Sequence, residues 1–217
     1  MTRPGLDLSL YVVADTALCG DRGVVATVQA AVHGGATAVQ VREPQATTRQ
    51  LCELAEAVHQ ALAGTGVPLL VDDRLDVTLA VGAEGVHLGQ SDLPAVQARR
   101  IAGPDLLVGL SVSTLDQVAD ADSLPPGTVD YLGVGPVFAT ATKPLAAPPL
   151  GLQLTARVRA ATGLPCVAIG GIDTSNAAQV RATGVHGLAV VSAVCAAPDP
   201  QAAAVALRRA QHGTARK

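Results

Sequence analysis

Aromatic residues are nearly absent from this chain of 217 residues, which has two tyrosines, one phenylalanine and no tryptophan. A large core without aromatic rings has to be built from alanine, valine, leucine and glycine, and this suits helices packed closely on a parallel sheet. Proteins that bind single-stranded nucleic acid stack bases on aromatic rings. The shortage therefore argues against nucleic-acid binding.

The chain also lacks an excess of positive charge and any long apolar run. Its formal net charge is -3, so no general basic field is present to attract nucleic acid or an anionic membrane. No apolar segment approaches the roughly 18 residues of a membrane span, and the first residues do not form a secretory signal. The sequence predicts a cytoplasmic protein that meets any anionic substrate with local groups.

Paired cysteine motifs are missing too. The four cysteines contain no CxxC pair and none lies in a histidine-rich cluster with zinc spacing. We expect reduced thiols that pack as small hydrophobic side chains.

Eight short apolar runs alternate with longer alanine-rich segments of helical period. Such alternation predicts repeated βα units, and eight units close a barrel. An open doubly wound sheet is the alternative, but the segment after the first run, DTALCGDRG, does not match GxGxxG. We therefore predict one (β/α)8 barrel over residues 1–217 with a disordered tail from about residue 212. The predicted strands are Leu10 to Ala14, Ala38 to Arg42, Leu69 to Asp72, Gly85 to Leu88, Leu107 to Leu110, Tyr131 to Val134, Cys166 to Ile169 and Gly187 to Val191.

Polar side chains occur where several predicted strands end. In the second strand, the period of two places Gln40 and Arg42 on the face that points into the barrel. An inward arginine needs an anionic ligand or an internal carboxylate, for which Glu43 and Asp73 are candidates. The sequence leaves these two interpretations open.

Carboxylates follow the third and fourth strands. Asp72 and Asp73 end the third strand, and Asp92 follows the fourth. Carboxylate oxygens at a barrel mouth suit Mg²⁺, which also binds phosphate. For Asp92 the alternative is a capping role for the helix that begins near Pro94.

Groups that suit phosphate follow the later strands. In barrels of this class, loops after strands seven and eight hold phosphate through backbone N–H groups. Hydroxyl groups and a lysine after strands five and six add further donors. Two centres result, which implies two anionic substrates, one of them a metal-bound group able to leave as diphosphate. The phosphate candidates are Ser111, Thr140, Thr142, Lys143, Gly170, Gly171, Val191 and Ser192.

Together these motifs resemble the thiamine phosphate synthase family over nearly the whole chain. The resemblance implies a barrel that joins a pyrimidine methyl diphosphate to a thiazole ethyl phosphate, or its carboxylated form, and releases diphosphate. It allows a homodimer and implies small-molecule substrates only. The motifs are VQVRE at 39–43, DDR at 72–74, GVHLGQSDLP at 85–94, GLSVST at 109–114, DYLGVGPVFATATKP at 130–144, VAIGGI at 167–172 and VVSAV at 190–194.

The resemblance also implies a role for each matching residue. Asp73 and Asp92 bind Mg²⁺. Arg42, Ser111 and Lys143 are the catalytic side chains. The pyrimidine diphosphate is surrounded by Gln40, Arg42, Asp72, Ser111 and Lys143, and the thiazole phosphate is held by Thr140, Ala141, Thr142, Gly171, Val191 and Ser192.

Three positions depart from the pattern usual in that family. Pro44 replaces a lysine, Asp72 an asparagine and Ser113 a histidine. The first two make the diphosphate centre more negative, so strong Mg²⁺ dependence is expected. The alternatives are a related thiazole tautomerase, a non-catalytic thiamine phosphate binding protein, or another phosphate-binding barrel enzyme such as an epimerase or aldolase.

Overall fold

Eight parallel strands form a closed barrel in sequence order, with β8 pairing to β1. The computed structural model describes residues 5–140 and 148–210. The (β/α)8 prediction is confirmed, although three strands differ at their carboxyl ends by one or two residues. The strands are β1 Leu10–Asp15, β2 Ala38–Arg42, β3 Leu69–Asp72, β4 Gly85–Leu88, β5 Leu107–Val112, β6 Tyr131–Val134, β7 Cys166–Ile169 and β8 Gly187–Val190.

Helices separate successive strands and surround the barrel. Short helices after β1 and β8, together with a 3₁₀ turn at Gly20–Arg22, were not evident from periodicity because each has four residues or fewer. None of the described helices is long and apolar enough to cross a membrane. The helices are α1 Thr16–Cys19, α2 Val24–His33, α3 Thr48–Leu62, α4 Leu75–Val81, α5 Ala95–Ala102, α6 Leu115–Asp122, α7 Gly151–Ala160, α8 Ala177–Arg181, α9 Ser192–Cys195 and α10 Pro200–Arg209.

The start of α3 shows how local sequence sets an element boundary. The Thr47 hydroxyl accepts a hydrogen bond from the backbone N–H of Gln50 at 3.3 Å, and the Gln50 side chain accepts one from the N–H of Thr47 at 2.9 Å. This reciprocal arrangement satisfies two N–H groups that the helix leaves unpaired, as the TxxQ pattern predicts.

Alternation along β2 separates the outer core from the barrel interior. Val39 and Val41 are buried in one cluster with Leu51 and Ala55 of α3. Gln40 points the other way and is 4% exposed. The predicted orientation of β2 is therefore confirmed, and it directs polar side chains toward the barrel interior.

Two glycines in neighbouring strands leave room inside the barrel for larger rings. A Cβ atom at Gly109 would overlap the ring of Tyr131 and lie 2.5 Å from Nδ1 of His87, and one at Gly133 would lie 2.9 Å from Cε1 of His87. With a side chain at either position, the rings of His87 and Tyr131 could not keep their places. Glycine at these positions of strands five and six therefore allows the two polar rings to fit in the barrel interior.

The four cysteines are free thiols, as expected. Cys19, Cys166 and Cys195 are buried and Cys52 is partly buried. Burial raises the pKa of the Cys166 thiol to about 11. This thiol therefore stays protonated at neutral pH and acts as a small core side chain.

Removal of a buried leucine from the outer core should destabilise the barrel strongly. Leu132 of β6 is 0% exposed, whereas Leu79 of α4 is 46% exposed. We expect Leu132→Ala to lower the free energy of unfolding by about 2–5 kcal/mol, because it removes packed methyl groups and leaves a cavity. Leu79→Ala should change it by less than about 0.5 kcal/mol. Urea unfolding followed by circular dichroism measures both, and equal effects would contradict the packing described here.

Candidate active site

A cavity of about 640 Å³ opens at the carboxyl ends of the strands. Most of the residues that were predicted from the sequence line it, and these come from seven different strand ends. Gln40 lies beneath the lining and contacts Asp72. Ala141, Thr142 and Lys143 lie outside the described residues. The predicted residues that line the cavity are Arg42, Asp72, Asp73, Asp92, Ser111, Thr140, Gly170, Gly171, Val191 and Ser192.

Arg42 is held between two carboxylates at one side of this cavity. Its Nε lies 3.2 Å from Oδ2 of Asp72, and its NH1 lies 3.8 Å from Oδ2 of Asp15. Gln40 donates a hydrogen bond from Nε2 to the other oxygen of Asp72. The carboxylate partners are thus Asp72 and Asp15, not the Glu43 or Asp73 considered from sequence. The arginine is oriented before any ligand arrives.

Asp15 was missed by the sequence analysis, although it ends β1 as Asp72 ends β3. Its Oδ1 accepts a hydrogen bond from the N–H of Leu18 at 3.1 Å and so caps α1. One carboxylate therefore both starts a short helix and faces Arg42. The signal in the sequence was its place at a strand end.

Asp73 has backbone geometry that side chains other than glycine seldom adopt. Its φ angle is 60°, the only positive value of a non-glycine residue in the described ranges 5–140 and 148–210. Its N–H donates to the carbonyl of His87 at 2.8 Å. Such strain costs free energy and persists at functional sites. Here it turns the carboxylate-bearing residue onto the rim of the cavity.

Asp92 lies on the same rim, and the alternative role considered for it is not observed. Its Oδ2 accepts a hydrogen bond from the N–H of Gly89 at 2.8 Å. Pro94, not Asp92, occupies the capping position of α5. Asp92 therefore closes the turn after β4 and lines the cavity instead of capping the helix.

The donor set at this rim fits a magnesium ion that is shared with a phosphorylated substrate. Asp73 and Asp92 offer hard carboxylate oxygens in one cavity. No group of three or more histidine, cysteine, aspartate or glutamate side chains that could hold a metal occurs in the part of the chain that the structure describes. Mg²⁺ suits such a sparse set, because it commonly uses one or two carboxylates together with waters and substrate phosphate.

The opposite side of the cavity is built from backbone. Gly170 and Gly171 after β7 have φ angles of 102° and 65°. A Cβ at Gly171 would lie 2.8 Å from the carbonyl oxygen of Ala139, so only glycine fits. Val191 precedes α9 without a side-chain cap, and the first N–H groups of a helix have no partner within it. Backbone N–H groups arranged in this way can bind a phosphate group.

A buried chain of hydrogen bonds runs from the barrel interior to Ser111. The hydroxyls of Tyr11 and Tyr131 lie 3.0 Å apart, Tyr131 contacts Nδ1 of His87 at 2.8 Å, and Nε2 of His87 contacts Oγ of Ser111 at 2.8 Å. Burial raises the pKa of both tyrosines well above the ordinary value. Neither tyrosine was identified from the sequence as a candidate for the site. Their signal was that the only two tyrosines of the chain lie in strands.

Ser113, the third departure from the usual family pattern, is engaged with backbone. Its hydroxyl donates to the carbonyl of Gly135 at 2.8 Å, and its N–H donates to Oε1 of Gln117 at 2.6 Å. A serine fixed in this way ties β5 to the start of the loop after β6. It supplies no acid or base.

The architecture and the cavity define a class of protein. A closed (β/α)8 barrel with an arginine and carboxylates on one side of its cavity and glycine-rich backbone on the other belongs to the phosphate-binding barrel enzymes. The model of the family described as thiamine monophosphate synthase matches residues 10–194. The chain belongs to this family.

Individual relatives agree with this assignment. The thiamine-phosphate synthase of Albidiferax ferrireducens is 52% identical over 202 residues, covering 93% of this chain and 91% of the relative. That of Azorhizobium caulinodans is 49% identical over 202 residues, covering 93% and 94%. The thiamine phosphate pyrophosphorylase structure from Pyrococcus furiosus has a TM-score of 0.86 and 40% identity, covering 95% and 96%. A 3-hexulose-6-phosphate synthase structure (TM-score 0.67, 18% identity, covering 94% and 99%) shares the fold.

Asp72 should weaken the binding of anions beside Arg42. In Asp72→Asn the amide oxygen can still accept from Gln40, while one negative charge next to the arginine is lost. We expect inorganic diphosphate, with Mg²⁺ present, to bind about three- to tenfold more tightly, because a like charge is removed from a partly buried site. Isothermal titration calorimetry measures the dissociation constant.

The matched control is Asp120→Asn, which makes the same charge change on an exposed residue near the end of α6. This control should leave the dissociation constant unchanged. Weaker binding in Asp72→Asn would show that orientation of Arg42 by Asp72 outweighs the repulsion.

Proposed function

We propose that this chain joins 4-amino-2-methyl-5-(diphosphooxymethyl)pyrimidine to 4-methyl-5-(2-phosphoethyl)thiazole, giving thiamine phosphate and diphosphate, or to its 2-carboxy form, in which case carbon dioxide is also released. Membership of the family makes the chain a transferase of this type. The observation that carries the residue assignment is that one cavity has two unlike sides, one with an arginine and carboxylates and one of glycine-rich backbone. Two phosphorylated substrates can therefore lie end to end.

The pyrimidine diphosphate is assigned to the side that contains Arg42. Arg42 is charged and already oriented by Asp72, so it can stabilise negative charge that develops on the leaving diphosphate. Ser111 adds a hydroxyl at the same side, and Lys143, which lies outside the described residues, is proposed to add a second cation. These three are the proposed catalytic side chains, while Gln40 and Asp72 hold Arg42 in place.

Magnesium is proposed to accompany this substrate. Asp73 and Asp92 would hold the ion, and it would neutralise diphosphate charge when bound. The need is increased in this chain because Asp72, Asp73 and Asp92 line the cavity, and Asp15 together with Asp72 offsets the charge of Arg42.

The thiazole phosphate is assigned to the backbone side. Gly171, Val191 and Ser192 offer backbone N–H groups there, and the hydroxyl of Thr140 lines the same cavity. Ala141 and Thr142, outside the described residues, complete the proposed set. Holding the second substrate by its phosphate fixes the ring nitrogen relative to the pyrimidine, which lowers the entropic cost of reaction.

The chemistry that fits these groups is dissociative. The C–O bond to diphosphate breaks and its electron pair leaves with the diphosphate, giving a pyrimidine methyl cation. The lone pair of the thiazole nitrogen then forms the C–N bond. Neither step needs a protein nucleophile, and the site offers oriented charge instead.

The tautomerase alternative finds no support in the geometry. Its chemistry needs an acid–base group, and the hydroxyl of Ser113 is bonded to a backbone carbonyl instead. Incubation of the protein with the thiazole tautomer and no pyrimidine should leave the tautomer unchanged, and rapid isomerisation would favour the tautomerase.

The direct test is an assay with both substrates and Mg²⁺, with thiamine phosphate detected by chromatography. We expect turnover that falls at least about 100-fold after exhaustive chelation and returns when Mg²⁺ is added, because charge on the leaving group is then uncompensated. Tight binding of thiamine phosphate without turnover would instead identify a non-catalytic binding protein. Substantial turnover after chelation would contradict the metal proposal alone.

Replacement of Asp73 tests the metal assignment with little change in backbone strain. Asparagine tolerates a positive φ nearly as well as aspartate, so Asp73→Asn removes the charge and keeps the conformation. We expect turnover to fall about 100-fold and the Mg²⁺ concentration for half-maximal activity to rise, because a carboxylate ligand is lost.

The control for this variant is Asp76→Asn. Asp76 lies three residues after Asp73. Its side chain is 62% exposed and pairs with Arg74 on the surface. Its loss should change turnover less than twofold, since exposed ion pairs contribute little. Near-normal activity of Asp73→Asn would remove this residue from the metal site.

A further inference from the structure

The hydrogen bonds that connect Tyr11, Tyr131, His87 and Ser111 indicate which atoms carry the protons. Tyr11 and Tyr131 are 1% and 0% exposed. Each keeps its proton at neutral pH, because burial raises the pKa of both phenols. Two hydroxyls that share one contact at 3.0 Å cannot both donate across it. At least one of the two hydroxyl protons must therefore be donated to another group.

Among the described residues, Tyr131 has a second acceptor for its hydroxyl proton and Tyr11 has none. The Tyr131 hydroxyl contacts Nδ1 of His87 at 2.8 Å. In the described part of the chain, the hydroxyl of Tyr11 makes its hydrogen bond with Tyr131 alone. Tyr11 lines the cavity but is only 1% exposed, so if Tyr131 donated to Tyr11, the O–H of Tyr11 would lack an acceptor among the described residues, which is costly. Tyr11 therefore donates to Tyr131, and Tyr131 donates to His87.

This order fixes the tautomer of His87. Nδ1 accepts, so the proton of the neutral ring is on Nε2, and Nε2–H donates to Oγ of Ser111 at 2.8 Å. The hydroxyl proton of Ser111 is then not used by His87.

We propose that Tyr131 is a positioning residue: through His87 it holds the Ser111 hydroxyl as a hydrogen-bond donor directed at the substrate in the cavity. Phosphate oxygens and ring nitrogens only accept hydrogen bonds, so a serine helps to bind them only if its proton is free. The assignment of the pyrimidine diphosphate as that acceptor rests on the proposed function. The proton order within the protein does not.

The surrounding backbone leaves the space that the rings of this hydrogen-bonded chain need. Gly109 and Gly133 leave space where a Cβ would meet the rings of Tyr131 and His87. Tyr131 lies behind the residues that line the cavity, so it acts through His87 and does not touch substrate. Its ring centroid lies 5.5 Å from that of His87, which fixes the two rings side by side.

The proton order can be read in the free protein by ¹⁵N nuclear magnetic resonance of labelled histidine. The His87 signals are identified by their loss in His87→Asn. We expect Nε2 protonated and Nδ1 unprotonated in the natural protein. In Tyr131→Phe, which keeps the ring and removes the hydroxyl, the tautomer should become mixed or reversed. A proton on Nδ1 in the natural protein would overturn the proposal, whatever the variants do.

Tyr11→Phe is the matched control, because it also removes one buried tyrosine hydroxyl. Tyr131 can still donate to His87 in this variant, so the tautomer should stay as in the natural protein. An equal change of tautomer in both variants would overturn the proposal. Thermal unfolding of each variant shows whether the fold is retained, and the measurement on the natural protein does not depend on it.

Kinetics give a second readout that a purely structural role would not produce. Tyr131→Phe should raise the KM for the pyrimidine diphosphate about two- to tenfold, the effect of one hydrogen bond, and leave the KM for the thiazole phosphate unchanged. In a Ser111→Ala background it should have no further effect on either constant. Additive effects would overturn the proposal. Absence of turnover in the natural protein would instead refute the proposed function, while the resonance experiment still decides the proton order.

Discussion

The common direction of the eight strands is the constraint on which the rest of this molecule depends. Parallel pairing all around the barrel brings every carboxyl end to one rim. Side chains that are far apart in sequence then share one cavity, such as Arg42 after β2 and Ser192 after β8. No local motif in this chain is long enough to form the site alone. The cavity therefore exists only because the barrel closes and brings these strand ends together.

Closure also brings negative charges together, since two of these strands, β1 and β3, end in aspartate and further aspartates follow β3 and β4. Among the described residues, Asp15 and Asp72 both face Arg42, and Asp73 and Asp92 lie on the same rim. Charges that are partly removed from water interact strongly, so these carboxylates repel an anionic substrate and offset the attraction of Arg42. The proposed Mg²⁺ would reduce this repulsion.

The sequence predicted the scaffold well and the connections within the site less well. Strand positions, the capping box at Thr47 and the inward direction of Gln40 follow from period and propensity, which are local properties. The partner of Arg42 does not, because it depends on the relative heights of β1, β2 and β3 in the barrel. The register of β1 and β3 against β2 brings Asp15 and Asp72 to Arg42. This register cannot be read from the sequence of any single strand.

The tyrosines illustrate the same limit in the interior. With small side chains dominating the core, a tyrosine in a strand looks like ordinary packing. The role of its hydroxyl is evident only when Gly109 of β5 and Gly133 of β6 are seen to leave space for the rings of His87 and Tyr131. A polar network of this kind is stable only when each member is satisfied. The last member of the network, Ser111, also lines the cavity. The network therefore connects the barrel interior to the cavity at the rim.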